Sequence, residues 1–184
     1  MTTINILRHG ETSGGNIYRG ITDQPLTQKG WLQMRNAIGD NSHWQQIISS
    51  PLLRCSDFAS HISEQLNIPV SFNKKLQEID FGDWEGLSAA QIYQRSPDEL
   101  IRFWDNPEKY TPPNGERLLS LQTRVLETWN EIIAMGEDIL VITHGGPIRV
   151  ILCHENKTPI KEVLSLDVPL ASFHNIKNTE TCTE

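Results

Sequence analysis

The apolar positions of this 184-residue chain fall into short continuous runs separated by stretches of helical spacing. The runs are Ile4–Leu7, Ile47–Ser49, Val70–Phe72, Ile139–Thr143 and Leu170–Phe173. A run such as Ile139-Leu-Val-Ile-Thr143 does not alternate, as expected of a strand covered on both faces in a parallel sheet. Between the runs, Trp31, Met34 and Ile38 share one helical face, with Thr27 placed to cap that helix. Cys55, Ala59, Ile62 and Leu66 mark a second helix. Leu118, Leu121, Val125, Trp129 and Ile132 mark a long third one, ended near Gly136. Pro147 suits the first turn of a last helix. Strands alternating with helices predict an α/β fold of three layers, α/β/α, around a mostly parallel sheet.

Residues 82–115 break this rhythm. They are rich in Trp, Pro, Asp and Gln and close on a Pro112-Pro-Asn-Gly115 turn. They read as a helical, lid-like excursion over one end of the sheet, within a single domain spanning residues 1–184. Residues 175–184 read as a polar, frayed tail.

Composition narrows the picture. With 16 basic and 23 acidic residues the formal charge is −7, a poor match for nucleic acid or an anionic membrane surface. At 38% hydrophobic and 21% charged residues, the chain has the makeup of a globular protein rather than a disordered one. Cys55, Cys153 and Cys182 are far apart and show no CxxC spacing, which fits a reduced compartment without disulfides or a zinc ribbon. No signal-peptide pattern opens the sequence, and no apolar stretch approaches the roughly 20 residues of a membrane span. A cytoplasmic protein is expected. His43, His61, His154 and His174 lack metal-ligand spacing, and no P-loop, GxGxxG or GxSxG occurs, so neither metal nor cofactor is expected.

Three predicted strands end in chemically loaded residues. The first runs into Arg8-His9-Gly10-Glu11-Thr12, the second into Ser50-Pro51-Leu52-Leu53-Arg54, the fourth into His144-Gly145-Gly146-Pro147. In an open α/β sheet, ligands bind beyond the carboxyl ends of the strands. If these ends are neighbours, two guanidinium forks, two imidazoles and glycine-exposed N–H groups converge on one anion site suited to a phosphoryl group. Any of these residues alone is an ordinary loop histidine, surface arginine or turn glycine. Together they outweigh that reading. His9 is the candidate nucleophile, because a neutral imidazole can form a phosphoramidate that water then hydrolyses. Arg8, Arg54 and His144, the last in the protonated form that the anionic phosphate itself promotes, would hold the transferring phosphoryl oxygens.

The segments Leu7-Arg-His-Gly-Glu-Thr12, Ser49–Arg54 and Val141–Gly146 resemble the histidine phosphatase superfamily, the phosphoglycerate-mutase-like fold, in order and spacing over Ile4 to about Arg149. The run Glu78-Ile-Asp-Phe-Gly-Asp-Trp-Glu-Gly86 is similar to the phosphatase branch. With Phe103–Glu116 it looks most like the alpha-ribazole phosphatases of cobalamin biosynthesis. The resemblance implies that His9 is the phosphorylated residue and that Glu78 is the general acid. Asp80 and Glu85 are neighbouring alternatives for that acid. Glu11 is expected to orient its neighbours. Trp84 and Trp104 could stack on an aromatic substrate, and Gly145 offers backbone to the phosphate.

The chain also departs from the family pattern. Where the family usually has a phosphate-contacting Asn, this sequence has Gly15, with Asn16 one step later. Thr22 matches a family hydroxyl that can reach the phosphate. Arg117 stands where a small hydroxyl residue is usual. Three readings follow. The first is a metal-independent phosphomonoesterase working on a small phosphorylated metabolite, specifically alpha-ribazole 5'-phosphate. The second is a cofactor-dependent phosphoglycerate mutase or a broad sugar-phosphate phosphatase. The third is a non-catalytic phosphate-binding adaptor.

Overall fold

The computed structural model describes residues 2–178. Among them, β1 (Thr2–Arg8), β2 (Gln46–Ser49), β3 (Val70–Phe72), β4 (Ile139–Thr143) and β5 (Phe173–Asn178) form one sheet in the order β3-β2-β4-β1-β5. The first four are mutually parallel, and β5 runs antiparallel to β1. The register Arg8↔Thr143 and Ser49↔Ile142 brings the carboxyl ends of β1, β4 and β2 level. His9, His144 and Ser50 therefore leave the sheet side by side.

The unalternating run of β4 is explained by its two faces. Ile139 and Val141 join Ile4 and Ile6 in a core packed against α5 (Leu118–Ala134) and α6 (Gly145–Glu155). Leu140 and Ile142 join Leu7 and Ile47 in a second core under α1 (Gln28–Ile38) and α2 (Leu53–Leu66). Side chains alternate across a strand, so two apolar layers require an apolar residue at every position. Each fully buried side chain of this kind contributes roughly 1.5–3 kcal/mol. Thr27 caps α1 as expected, its Oγ1 accepting from the Gly30 N–H at 3.0 Å. Pro147 lies in the first turn of α6, which begins at Gly145.

The last strand is displaced from its expected place. Leu170 and Ala171 form a turn, Ala171 with φ of 56°, and β5 starts at Phe173. Residues 175–178, expected to fray, pair with the outer edge of β1 from Thr2 to Asn5. The segment is held there because the ladder satisfies its backbone groups and Ile176 packs against the core. Residues 179–184 of the expected tail lie outside the described residues.

The excursion comprises a 3₁₀ turn at Gly82–Trp84, α3 (Ala89–Arg95) and α4 (Pro97–Asp105). Ser88 and Gln91 close a capping box on α3, and Pro97 opens α4. Trp84, Ile92, Leu100 and Phe103 form its own small core, joined by Tyr18 and Phe81. It is tied to the loop after β1 by the Tyr18 N–H on Leu87 O at 2.8 Å and the Gly86 N–H on Tyr18 O at 2.9 Å. The excursion thus sits at the carboxyl end of the sheet. Among the described residues no helix is long and apolar enough to cross a membrane.

Candidate active site

His9 continues the β1–β4 ladder by donating its N–H to Thr143 O at 3.1 Å. Its ring is almost fully buried, and Nδ1 lies 2.8 Å from Gly10 O. A carbonyl accepts only, so Nδ1 carries the proton and Nε2 keeps the lone pair. Burial first, then the Arg54 charge, pushes the His9 pKa well below its usual value. A neutral imidazole in one fixed tautomer is the form a nucleophile needs. Gly10 permits this packing, since a Cβ there would stand 2.3 Å from Gly30 O on α1.

Arg54, in the first turn of α2, is fully buried. Its Nη2 donates to Gly20 O, its Nη1 to Thr22 O at 2.9 Å, and its Nε to His144 Nδ1 at 3.1 Å. An arginine N–H can only donate, so His144 Nδ1 must accept. The His144 ring is therefore neutral, with its proton on Nε2 facing Ser50 Oγ at 2.7 Å. Burial, followed by the Arg54 charge, pushes its pKa well down, whereas the protonated form expected from the sequence is the one an anionic phosphate promotes. Cys55 packs against the same ring, and burial pushes its thiol pKa up, out of the reactive range.

Arg8 donates from Nη1 to Val168 O, while its Nε is buried without a partner, alone in this among the described residues. Burial lowers its pKa somewhat, and guanidinium stays charged regardless. Glu78 faces the start of α6. The Gly146 N–H donates to its two oxygens at 3.0 and 3.1 Å, and the Ile79 N–H adds a third bond at 3.0 Å. A Cβ at Gly146 would stand 2.2 Å from Glu78 Oε1, so a larger residue there would displace the carboxylate.

Arg8, His9 and Glu78 line one cavity of about 820 Å³, together with Asn16, Tyr18, Arg19 and Arg149. Arg54 and His144 are fully buried and do not line it, the His144 ring lying edge-on to His9 with centroids 5.2 Å apart. Gly145 stands beside Arg8 and Arg149, where a Cβ would come within 2.7 Å of Arg149 Nη1. Tyr18, Glu78, Phe81 and Arg149 also line an apolar recess of about 140 Å³, walled by Phe103, Trp104 and Leu164. Trp104 is 47% exposed and donates its Nε1–H to Tyr18 Oη at 2.8 Å.

Two expected contacts are corrected. The Thr22 hydroxyl is given to Glu85, not turned to the cavity. Trp84 is buried in the small core of the excursion and lines neither the cavity nor the recess. The alternatives to Glu78 are committed elsewhere: Asp80 accepts from the Gly82 N–H, and Glu85 from a cluster of N–H groups. Glu11 holds Thr27 and Lys29, and Arg117 is outside both spaces. Arg149 was not singled out from sequence. Its one signal was position, four residues after Gly145 and thus on the same face of α6. Its Nε is anchored on Leu166 O at 2.9 Å. Among the described residues no group of three or more His, Cys, Asp or Glu side chains is placed to hold a metal ion.

A fold with its charged residues gathered at adjacent strand ends around a buried histidine has known relatives. Residues 4–183 match the histidine phosphatase superfamily (branch 1), and the chain belongs to that superfamily. A bifunctional protein of Mycobacterium tuberculosis is 35% identical over 158 residues, covering 82% of this chain and 43% of the relative. The chain thus spans less than half the length of that relative. A 2,3-bisphosphoglycerate-dependent phosphoglycerate mutase of Rhizobium etli is 27% identical, covering 94% of the chain and 88% of the mutase. Among solved structures, Bacillus stearothermophilus YhfR superposes with a TM-score of 0.86 at 30% identity, covering 96% of this chain and 91% of YhfR. The alpha-ribazole phosphatase from Shigella flexneri superposes with a TM-score of 0.85 over 96% of this chain and 90% of its own, a likeness of fold at 22% identity. Members of the superfamily are phosphatases or mutases.

Proposed function

We propose that the protein is a metal-independent phosphomonoesterase acting through phospho-His9. The observation that carries this reading is the fixed tautomer of His9, whose lone-pair nitrogen belongs to a ring lining the same cavity as Arg8 and Glu78. His9 Nε2 attacks phosphorus and the ester P–O bond breaks. The leaving oxygen takes a proton from Glu78. Water then attacks the phosphohistidine, gives a proton to Glu78, and releases phosphate and free His9. Arg8 Nε, buried without a partner, and the second N–H on each terminal nitrogen of Arg54 are the donors for the oxygens on which charge develops.

The finer reading is alpha-ribazole 5'-phosphate as substrate. The apolar recess with Trp104 and Phe81 adjoins the cavity on the Glu78 side, where a leaving group would emerge, and offers a flat base a place to stack. Arg149 and Arg19 favour a second reading. Both line the cavity and add positive charge suited to a small doubly anionic ester such as 3-phosphoglycerate. A panel of alpha-ribazole phosphate, ribose 5-phosphate and 3-phosphoglycerate, with and without 2,3-bisphosphoglycerate, separates them. Stacking worth roughly 1–3 kcal/mol puts alpha-ribazole phosphate at least about fivefold above ribose 5-phosphate in kcat/KM. A flat profile, or 3-phosphoglycerate as the best substrate, overturns the finer reading. Absence of turnover on every ester overturns the enzyme reading in favour of a phosphate-binding adaptor.

A further inference from the structure

Glu85 sits outside the cavity yet holds the largest set of donors given to a single carboxylate among the described residues. Its Oε1 accepts from the Gly20, Ile21 and Phe81 N–H groups at 2.9, 3.1 and 3.0 Å. Its Oε2 accepts from the Thr22 N–H at 3.1 Å and from the Thr22 hydroxyl. Three successive N–H groups, those of Gly20, Ile21 and Thr22, therefore close on one carboxylate as an anion nest. The approach is tight enough to exclude a side chain at residue 20, where a Cβ would stand 2.0 Å from Ile79 O and 2.3 Å from Glu85 Oε1.

The same short segment holds Arg54. The carbonyls of Gly20 and Thr22 take the two terminal nitrogens of the Arg54 fork. Arg54 Nε in turn fixes His144 Nδ1. A chain of direct bonds therefore runs from Glu85 through the backbone of residues 20–22 to Arg54 and on to His144. Nothing else among the described residues bonds both Gly20 and Thr22 from the excursion side. A guanidinium clamp loses its value when its plane is misplaced, because a bidentate fork must meet fixed oxygens.

We infer that Glu85 is a positioning residue: by gathering the N–H groups of Gly20–Thr22 it sets the two carbonyls that aim the Arg54 fork at the phosphoryl site. The inference rests on the phosphoryl-site reading of the cavity. It makes the excursion part of the phosphate clamp as well as a wall of the substrate space.

The test is a double-mutant cycle read by binding of inorganic phosphate and of orthovanadate, which needs no turnover. Glu85→Gln keeps the size but turns an NH₂ toward the N–H nest. It should weaken both anions by about tenfold or more, the scale of a hydrogen bond to a charged group. In an Arg54→Gln background the same change should cost less than about twofold, because residues acting through one another are not additive. Equal losses in both backgrounds, or no loss in the single variant, overturn the inference. Thr22→Val, which removes one donor, is the milder companion if Glu85→Gln folds poorly. It must lose affinity with intact Arg54 and not without it, and any other pattern overturns the inference too. The wild-type titration separates the two readings. A wild type that binds neither anion refutes the phosphoryl site, and the positioning role falls with it. A wild type that binds both, with an additive cycle, refutes the positioning role alone.

Discussion

The rings of His9 and His144 meet edge to face, with centroids 5.2 Å apart and planes at 60°. Two imidazoles this close, both buried and both near the Arg54 charge, are neutral together. An unfolded histidine titrates near ~6.5, so below that value the unfolded chain binds protons that the folded one refuses. The stability contributed by each ring is therefore fully present above about pH 6.5 and is lost as the pH falls toward the lower folded values. Thermal unfolding followed from pH 7.5 down to 5 should show a falling Tm, with a shallower slope in His144→Gln. Imidazole ¹⁵N shifts of His9 and His144 should stay in the neutral form through pH 6.5. A charge change centred there would contradict the arrangement.

A phosphohistidine is acid-labile and base-stable. Acid-quenched wild-type enzyme should therefore lose its label on warming in acid and keep it in base, while His9→Ala traps none. Label that survives acid, or persists in His9→Ala, would remove His9 as nucleophile. In the proposed mechanism the Arg and His clamp takes the place of a Lewis acid, so exhaustive EDTA treatment should leave activity within about twofold. Recovery of lost activity by Mg²⁺ or Zn²⁺ would count against that mechanism.

As the proposed general acid, Glu78 should matter most when the leaving group is a poor one. Glu78→Gln should slow alkyl phosphates by an order of 10²–10⁴ in single turnover, the usual range of general acid–base loss. Para-nitrophenyl phosphate, whose leaving group departs largely unaided, should be slowed much less. Equal losses on both would assign Glu78 a structural role through Gly146 instead of a proton to deliver.

Trp104 reaches the recess and Trp84 does not. Trp104→Ala should lower kcat/KM for alpha-ribazole phosphate by about five- to 150-fold and leave ribose 5-phosphate nearly unchanged, the signature of one lost stack. Trp84→Ala should instead destabilise the fold by the roughly 3–5 kcal/mol typical of emptying a buried aromatic site, seen as a lower Tm. A Trp104→Ala loss shared equally by both substrates would mean that Trp104 only props the lid.

Much of the fold and of the candidate site was legible in the sequence, for a physical reason. Runs without alternation specify strands buried on both faces, and residues directly after such strands are carried to the ligand-binding end of the sheet whatever surrounds them. Arg8, His9, Arg54 and His144 could be read this way because each lies within a few residues of its strand. What the sequence could not decide is which partner each remaining group takes. Thr22 and Glu85 are 63 positions apart, and their bond removes both from the reacting centre. Trp84 and Trp104 share one excursion, but the packing of Ile92, Leu100 and Phe103 buries the first and leaves the second at the recess. The polar residues 175–178 become a strand because β1 has an edge to pair. Arg149 enters the site because one turn of α6 brings it back beside Gly145. Which nitrogen of His144 carries the proton turns on Arg54, 90 residues away. Local pattern fixes where the chain runs, whereas hydrogen bonds and burial among distant residues decide which of its polar groups remain free to act.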